Sequence, residues 1–531
     1  MNLQAALDEW RHLLDPALVL QGESAHQAYS ADASGNQRII AGALRIMDAA
    51  ILPDVMRIAH RHKIAVYPIS TGRNWGYGTA LPARDDCVIL DLSGMQKIIK
   101  FDAELGVITL EPGVTQGMLA DFLDAGGHQY LVPVTGAGPH CSLVGNALER
   151  GYGVTPHTDH FGAVTDLEAV LADGSMYRTA LREAGGEDLA GLFKWGIGPY
   201  SAGLFTQSGF GIVTRMTIIL ARRPACVKVC LFSLKDDALL EEAVERVRAI
   251  LGKLPGTVGG LNLMNQHRVL AMSAPYPADR LGADGLIPQS VIEQMGRQFQ
   301  IGAWTGFGTL YGTQRMVAAA QKEIRAELSG IASRLIFLSP KNASVLSKVA
   351  TWVPGAIGQR VGSTANTIAK SLELVNGRPN ETALPLAYWR NPNGPQGPSR
   401  DPSRDGCGLI WFAPLVPMRP AGVRAYLNLV SEVTKKHGLE PLITFTSISD
   451  KLFDSTVPLI FDRGDPRQVA AASACYDELL LKGRLLGVFP YRVGINAMKA
   501  LSGLQSDSRI FHERLRRNVD PDSLIAPGRY Q

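Results

Sequence analysis

The sequence of 531 residues has few cysteines, little net charge and no long hydrophobic run. No stretch approaches about 18 consecutive apolar residues, so we expect no membrane-spanning helix. The six cysteines form no CxxC pair, which argues against a zinc site or a disulfide framework and favours reduced thiols. The formal net charge is only +4. We therefore expect no nucleic-acid partner, because such proteins carry a concentrated basic face.

The sequence signatures of several common cofactors are also missing. The glycine-rich segment Pro68–Thr79 is not a GxGxxG sequence that opens a helix in a βαβ unit, and no GK[ST] follows it. The sequence therefore argues against a Rossmann site and a P-loop. His157, Asp159 and His160 lack the spacing of a helix-face ligand pair, so we expect no metal. There is no CxxCH motif, so any haem must lie on another chain.

The N-terminal residues MNLQAALDEWRHLL have an amphipathic pattern with internal charges and no small-residue cleavage site. We expect no signal peptide here and a cytoplasmic protein, with co-export alongside a partner into the periplasm as the alternative. The basic clusters Lys435–Lys436 and Arg514–Arg517 are interpreted as solvated helix ends, where positive charge complements the helix dipole.

A chain of this length exceeds one compact core, so we expect two domains. The first 220 residues or so combine glycine-rich loops with predicted helices at 51–63 and 115–125, strands at 64–68, 87–92, 106–111 and 211–220, and a hairpin at 167–179. Composition changes after residue 224 to alternating strands and helices. Residues 391–405 are too rich in proline and glycine for regular structure, and long loops of this kind are often site loops.

Five segments contain residues suited to chemistry, although each has a plain structural interpretation on its own. The loop 68–79 could present backbone N–H groups to an anion, or it could be a simple turn. The histidines of segment 144–160 could make only structural hydrogen bonds. The remaining segments are the glycine turn 203–214, the Pro-Tyr-Arg sequence at 490–492, and the Arg-terminated tail 520–529.

Taken in order, these segments resemble the vanillyl-alcohol oxidase/p-cresol methylhydroxylase family of flavoproteins. The matching stretches are PISTGRNWGYG, ITLEPGVT, GNALERGYGVTPHTDH, GLFTQSGFGIVT, PYR and VDPDSLIAPGR, and they extend from about residue 50 to the C-terminal end. The resemblance implies an α+β fold with a two-part FAD-binding domain at 1–223 and 488–531. The intervening residues 224–487 would form a cap domain built on an antiparallel sheet.

The resemblance also implies site residues. FAD would contact a set of loop and strand residues: Ser70, Thr71, Gly72, Arg73, Asn74, Trp75, Pro112, Gly145, Asn146, Gly153, Gly209, Ile212 and Arg529. Tyr77, Tyr491 and Arg492 would bind a phenolate, Asp159 would be an acid near flavin N5, and Arg529 would lie near flavin N1. Trp389, Trp411 and Phe412 are candidates for the substrate-pocket walls, although ordinary core packing would also explain these aromatic residues.

These residue types suit oxidation of a para-substituted phenol. Two hydroxyl donors and a guanidinium lower a phenol's pKa from its ordinary value near 10. The phenolate can then release a hydride from the para side chain to flavin N5, leaving a quinone methide that water or proton loss resolves. The alternatives are oxidation of a non-phenolic alcohol, lactone or 2-hydroxy acid on the same fold, and a non-enzymatic flavin-binding protein.

The expected cofactor attachment departs from the family pattern. Many members link FAD covalently to a His or Tyr of a cap strand, but the matching position here is Gly408 or Leu409, so we expect non-covalent FAD. Cys407 is the alternative attachment point. We expect a small phenolic substrate, with oxygen or a cytochrome c on a separate chain as electron acceptor, and a homodimer or larger oligomer.

Overall fold

The computed structural model describes residues 2–340, 369–502 and 506–531. The chain divides into two compact units. Unit 1 contains residues 1–153, 159–222 and 493–531, and unit 2 contains residues 154–158 and 223–492. Tyr491 and Arg492 are therefore the last residues of unit 2, whereas the sequence placed them in the C-terminal part of the FAD domain. The reason is that the main chain here still pairs with a unit 2 strand, as described below.

Unit 1 contains a mixed sheet, in which three of the four strands are parallel, and a second sheet that is antiparallel. The four-stranded sheet has the order β1 (Val19–Gln21), β2 (Ile40–Arg45), β4 (Cys87–Asp91), β3 (Val66–Ile69), and β4 runs parallel to both of its neighbours. The five-stranded antiparallel sheet has the order β5 (Ile98–Asp102), β6 (Val107–Leu110), β10 (Ile212–Ile219), β8 (Val164–Val170), β9 (Met176–Arg178). A short pair joins β7 (Tyr130–Leu131) to β11 (Ala221–Arg222).

The helices of unit 1 are α1 (Leu3–Leu13), α2 (Gly22–Tyr29), α3 (Leu52–His62), α4 (Gln116–Ala125), α5 (Leu143–Leu148), α6 (Ala180–Glu183) and α7 (Glu187–Ala190). The local sequence explains their limits. Thr115 caps α4 by accepting a hydrogen bond from Met118 N at 3.2 Å. Helix α3 buries Leu52, Val55 and Met56 on one face and ends at Lys63, whose φ is +56°.

Unit 2 is built on one antiparallel sheet of nine strands. The order is β15 (Arg334–Leu338), β12 (Cys226–Leu234), β14 (Trp304–Gly312), β13 (Val258–Asn265), β18 (Thr444–Ser447), β19 (Leu452–Asp462), β17 (Pro414–Pro417), β20 (Phe489–Pro490), and β16 (Cys407–Phe412) also pairs with β19. The predicted α+β class and the antiparallel sheet are confirmed. Residues 391–405 contain no helix or strand, in agreement with their proline and glycine content.

The helices of unit 2 are α8 (Leu240–Lys253), α9 (Gln266–Ser273), α10 (Gln289–Phe299), α11 (Gln314–Glu327), α12 (Pro420–Lys436) and α13 (Pro466–Leu485). Phe412 meets Tyr476 of α13 edge-on, and Phe453 and Phe445 form an aromatic cluster with Tyr426 of α12. These rings define a helix-facing side of the sheet. Because side chains alternate along a strand, residues next to these phenylalanines lie on the opposite side.

The chain ends with two helices of unit 1, α14 (Met498–Ser502) and α15 (Asp507–Val519). The prediction that both basic clusters are solvated is wrong at one residue. Arg516 is buried, and its Nη2 donates a hydrogen bond to Ile525 O at 2.6 Å. Its guanidinium ties the helix to the C-terminal tail. In the part of the chain that the structure describes, no helix is long and apolar enough to cross a membrane.

Candidate active site

The glycine-rich loop begins where β3 ends at Ile69 and folds tightly back on itself. Asn74 O accepts hydrogen bonds from Tyr77 N at 3.1 Å and Thr79 N at 3.0 Å. Gly78 has φ +116°, and a Cβ there would lie 2.8 Å from Ile495, so only glycine fits. Tyr77 is buried, and its carbonyl oxygen accepts from Ile495 N at 3.1 Å. The loop is thus fixed against residues 494–496.

Predicted FAD contacts from two other segments meet this loop. A Cβ at Gly145 would lie 2.9 Å from Ser70 Oγ, so α5 approaches the loop closely. The start of α5 is fixed by Ser142, whose hydroxyl accepts from Gly145 N at 3.0 Å and donates to Pro112 O at 2.6 Å. Ser142 thus joins Pro112 to Gly145 by hydrogen bonds, and Gly145 lies close to Ser70.

The C-terminal tail lies beside β3, the edge strand from which the glycine-rich loop begins, and it contacts the glycine turn before β10. The tail pairs with β3: Val66 N donates to Leu524 O at 2.7 Å, and Ala526 N donates to Val66 O at 2.8 Å. A Cβ at Gly209 would overlap Ile525 O. The predicted contacts Gly209 and Ile212 thus lie beside the tail and at the start of β10.

Arg529 in this tail is not an isolated cation. Its Nη1 donates to the Tyr67 hydroxyl at 2.6 Å, and its Nη2 forms an ion pair with Glu149. Both partners are largely buried. Because Glu149 offsets its charge, Arg529 would present a partly neutralised guanidinium to any anion in unit 1.

His160 and Asn146 form a packed pair. Asn146 Nδ2 is hydrogen-bonded to His160 Nδ1, and a Cβ at Gly153 would overlap the same imidazole. The close approach requires glycine at position 153. Among residues 2–340, 369–502 and 506–531 no group of His, Cys, Asp or Glu is arranged to hold a metal ion.

Asp159, which the resemblance makes an acid near flavin N5, lies in a turn after helix α5. Its side chain is exposed, and Oδ1 accepts a hydrogen bond from Gly162 N at 2.8 Å. The reason is local: residues 159–162 form a turn in which the carboxylate caps the following main chain. Asp159 is therefore available to a ligand from solvent.

Tyr491 lies beside the cap sheet of unit 2. Its main-chain N donates to Ala413 O at 3.3 Å, directly after the β17–β20 pair Pro414–Pro490. This register places Ala413 and Tyr491 on the side of the sheet that faces away from Phe412. Trp411, another predicted substrate contact, lies on the same side, because it is one residue before Phe412.

Sequence inspection missed Asp454. This residue of β19 pairs with Leu415 and lies next to Phe453, so it faces the same side as Tyr491. It is fully buried, and its Oδ1 has no hydrogen-bond partner among the described residues. Burial raises the pKa of Asp454 to about 7, and the charge of Arg492 opposes this rise. A signal existed in the sequence, since one acid interrupts the apolar run LFDSTVPLIF.

The other predicted cap aromatics have structural roles. Trp389 is buried, with Nε1 donating to Ala274 O at 3.0 Å and its ring edge-on to Tyr276. Phe412 belongs to the core between the sheet and α13, so the prediction that it forms a pocket wall is wrong. Trp411 is half-buried and carries the guanidinium of Arg268 at 5.7 Å from its ring centre.

The position expected for covalent attachment offers no linking group. A Cβ at Gly408 would overlap Phe461 O and lie 2.6 Å from Phe461 Cδ2, so no larger side chain fits there without movement. Cys407 is buried and its Sγ accepts a hydrogen bond from Asn391 Nδ2 at 3.3 Å. Burial raises the pKa of the Cys407 thiol to about 11, which keeps it protonated near neutral pH.

The residues around the loop 70–79 fit a flavin dinucleotide. At Gly78, Gly145 and Gly209 a Cβ would collide with Ile495, Ser70 or Ile525, so glycine at these positions lets the backbone segments around the loop pack closely. Ser34 Oγ and Asn496 Oδ1 are buried and have no hydrogen-bond partner in the described ranges. Ser34 lies near Thr79, and Asn496 follows Ile495, so both orphaned atoms flank the loop. A polar cofactor in this cradle would satisfy them.

Comparisons with known proteins agree with this interpretation. Residues 41–180 match the model of an FAD binding domain. The chain is 33% identical to the 1'-carboxy-chondrochloren decarboxylase of Chondromyces crocatus, over 99% of this chain and 97% of that protein. It is 29% identical to the flavoprotein subunit of the hydroxylating 4-cresol dehydrogenase of Pseudomonas putida, over 90% and 84%. The structure of p-cresol methylhydroxylase with substrate bound superposes with TM-score 0.87 at 27% identity, covering 100% of this chain and 96% of that one.

The chain belongs to the vanillyl-alcohol oxidase/p-cresol methylhydroxylase family. The family prediction and FAD as cofactor are confirmed, and the protein is an FAD-dependent oxidoreductase. The flavoprotein relative from P. putida is named as one subunit of a larger enzyme.

Proposed function

We propose that this protein oxidises a para-substituted phenol at its side chain. The observation that carries the proposal is that Tyr491 and Arg492 directly follow the edge strand β20, and that the charge of Arg492 acts on the buried Asp454. Arg492 Nε is buried, and an anion close to it would interact strongly because water is excluded. Both the P. putida relative and the p-cresol methylhydroxylase structure are named for a phenolic substrate.

Three side chains would hold the substrate oxygen. The hydroxyls of Tyr77 and Tyr491 donate hydrogen bonds, and Arg492 supplies a fixed positive charge, so the phenolate form is favoured. Tyr77 is included in this group because its loop resembles the family's motif. The same donors stabilise the charge that remains on this oxygen as the side chain is oxidised.

FAD, when bound, would supply at N5 the acceptor for the hydride that leaves the side-chain carbon attached to the para position of the ring. Ser70 to Trp75 would hold its pyrophosphate, with Asn146, Gly153 and Ile212 lining the rest of the binding surface. Arg529 would stabilise negative charge on the reduced ring, in a form moderated by Glu149. The exposed Asp159 would remove a proton from the oxidised side chain or from an attacking water. Non-covalent attachment follows from the absence of a linking group at Gly408 and from the protonated Cys407.

The test contrasts each phenol with its methyl ether. 4-Ethylphenol or vanillyl alcohol, mixed anaerobically with the FAD-loaded protein, should bleach the yellow flavin, whereas 4-ethylanisole should not, because it cannot form a phenolate. D-Lactate and D-2-hydroxyglutarate serve as probes of the 2-hydroxy-acid alternative. Bleaching by either acid but by no phenol would overturn the proposal.

Oxidative decarboxylation is a second candidate outcome, favoured by the relative from Chondromyces crocatus, which is named as a decarboxylase. If the substrate carries a carboxylate on the carbon next to the benzylic carbon, hydride loss from the benzylic carbon gives a quinone methide. The electron pair of the breaking C–CO₂ bond then restores the aromatic ring and forms a C=C bond. Carbon dioxide and a vinylphenol leave, and no further oxidant is required. Mass analysis of the product of 3-(4-hydroxyphenyl)propanoate separates this outcome from hydroxylation or desaturation.

After the reaction, the reduced FAD must pass its electrons to an acceptor. We propose a cytochrome c on another chain as one acceptor and oxygen as the other; the name of the P. putida relative as a flavoprotein subunit is in keeping with a second chain. We propose a homodimer or larger oligomer as the working assembly. Reoxidation of the bleached protein by air, or by added cytochrome c without air, identifies the acceptor.

A further inference from the structure

Arg268 of unit 2 lies at the start of α9, immediately after β13. Asn265 caps this helix by accepting a hydrogen bond from Arg268 N at 3.0 Å, so the main chain of Arg268 is fixed. The guanidinium carbon lies 5.7 Å from the ring centre of Trp411. An arginine in this position presents its planar edge beside an aromatic wall.

Two nitrogens of the Arg268 guanidinium have no hydrogen-bond partner among the described residues. Its Nε and Nη1 are buried without a hydrogen-bond acceptor in the described part of the chain, although the side chain as a whole is only half-buried. Burial lowers the pKa of Arg268 to about 9. A buried donor without an acceptor is costly, so an arginine of this kind indicates a group that the protein itself does not contain.

Among the described residues, no carboxylate forms an ion pair with this cation. Glu440 lies beside the neighbouring residue His267 but has other partners. One carboxylate oxygen is 3.6 Å from His267 Nε2, and the other accepts a hydrogen bond from Ile287 N at 2.8 Å. The sequence segments 341–368 and 503–505, which the structure does not describe, contain no aspartate or glutamate. A ligand is therefore the remaining source of a counter-charge.

Trp411 relates Arg268 to the proposed phenolate group. Trp411 and Ala413 lie on the same side of the sheet, and two residues along a strand span about 7 Å. Ala413 O accepts the hydrogen bond from Tyr491 N. Arg268 thus lies beside Trp411, and Trp411 is two residues along the strand from the contact between Ala413 and Tyr491. A substrate with an anionic group at each end would extend along this side of the sheet past Trp411.

We propose that Arg268 binds a carboxylate on the side chain of the substrate, which would make the substrate a para-hydroxyphenyl carboxylic acid. This inference rests on the proposed phenol oxidation. One guanidinium matches one carboxylate in charge and in its planar, two-pronged geometry, whereas a doubly charged phosphate would require further cations. Trp411 forms the apolar wall along the ring and the methylene groups between the two ends.

The activity test compares 3-(4-hydroxyphenyl)propanoate with its neutral amide in the FAD-loaded protein. The wild type should prefer the acid, and Arg268→Gln should lower kcat/KM for the acid by about 100-fold, because a hydrogen-bonded ion pair to the substrate is lost. The value for the amide and for 4-ethylphenol should stay within about two-fold. Arg246→Gln is the matched control, since Arg246 lies on α8 in an exposed pair with Glu242 and should change neither value.

A binding measurement supplies a readout without turnover. 4-Hydroxybenzoate should raise the melting temperature of the wild type and of Arg246→Gln, but not that of Arg268→Gln. Arg268→Leu should raise the melting temperature without any ligand, because it removes an unpaired buried charge. If Arg268→Gln retains the full preference for the acid, the carboxylate proposal is overturned while phenol oxidation stands. If neither 4-ethylphenol nor the acid is oxidised, the proposed function itself fails.

Discussion

Asp454 provides the sharpest test of the electrostatics of unit 2, and Asp454→Asn removes its ionisable group with little change in shape. Burial raises the pKa of Asp454 from 3.8 to about 7, against the opposing charge of Arg492. Between about pH 4 and about pH 7 the native protein therefore holds a proton that the unfolded chain has released. Because the native state binds more protons, the free energy of unfolding falls as pH rises through this window.

The size of the effect follows from the pKa difference. About three pH units correspond to about 4 kcal/mol, since each unit is worth about 1.4 kcal/mol. The wild type should thus lose up to about 4 kcal/mol of stability between about pH 4 and about pH 8, from this group alone. Asp454→Asn lacks this term, so its stability relative to the wild type should rise across the window and level off above it.

Urea unfolding of the FAD-loaded proteins at several pH values measures the difference. The matched control is Asp450→Asn, since Asp450 is four residues away but is hydrogen-bonded to Lys451, which lowers its pKa. The stability of this control relative to the wild type should be nearly constant over the neutral window. A constant difference between Asp454→Asn and the wild type from about pH 5 to about pH 8 would show that Asp454 is ionised throughout, and would refute the reasoning.

Three further predictions concern the site. Tyr491→Phe should lower kcat/KM for 4-ethylphenol by about 10- to 100-fold through loss of one hydrogen bond to the phenolate; unchanged kinetics would remove Tyr491 from the site. Acid precipitation of the wild type and of Cys407→Ser should leave all yellow colour in the supernatant, and colour in the wild-type pellet would indicate a covalent flavin. Gly408→Ala should destabilise unit 2 by about 1–3 kcal/mol in urea unfolding, because its Cβ would overlap Phe461 O; equal stability would show that the strand can shift at no cost.

The sequence could predict those parts of the site in which the backbone geometry requires a particular type of residue. Gly78 and Gly145 lie where a side chain would collide with Ile495 or Ser70, and such positions exclude every other residue. The strands beside them have continuous apolar runs such as CVILDL. Fold, family and cofactor were therefore predictable from short motifs in order.

The charge environment was not predictable in this way, because it depends on contacts between residues far apart in sequence. Asp159 is in a matching motif but is exposed, since its carboxylate caps its own turn. Arg529 matches a family motif, yet its pairing with Glu149 joins residues 380 positions apart. The unpartnered Arg268 gave no signal at all, because a sequence does not show which arginines lack an acid.

Unit 2 contains two cations, Arg492 and Arg268, which differ in whether an acidic side chain lies beside them. Arg492 has an ionisable neighbour, Asp454, which can be neutral or charged, so the protein itself can moderate this cation before a substrate arrives. Arg268 has no such neighbour, and its burial remains uncompensated in the free protein. At Arg268, the unpaired charge that favours ligand binding also lowers the stability of the folded protein. At Arg492, the neighbouring Asp454 allows these two effects to be separated. A residue that weakens the folded protein and offers two unused donors is retained most simply for an anion that binds there, which is why the carboxylate end of the substrate is assigned to Arg268 and the phenolate end to Arg492.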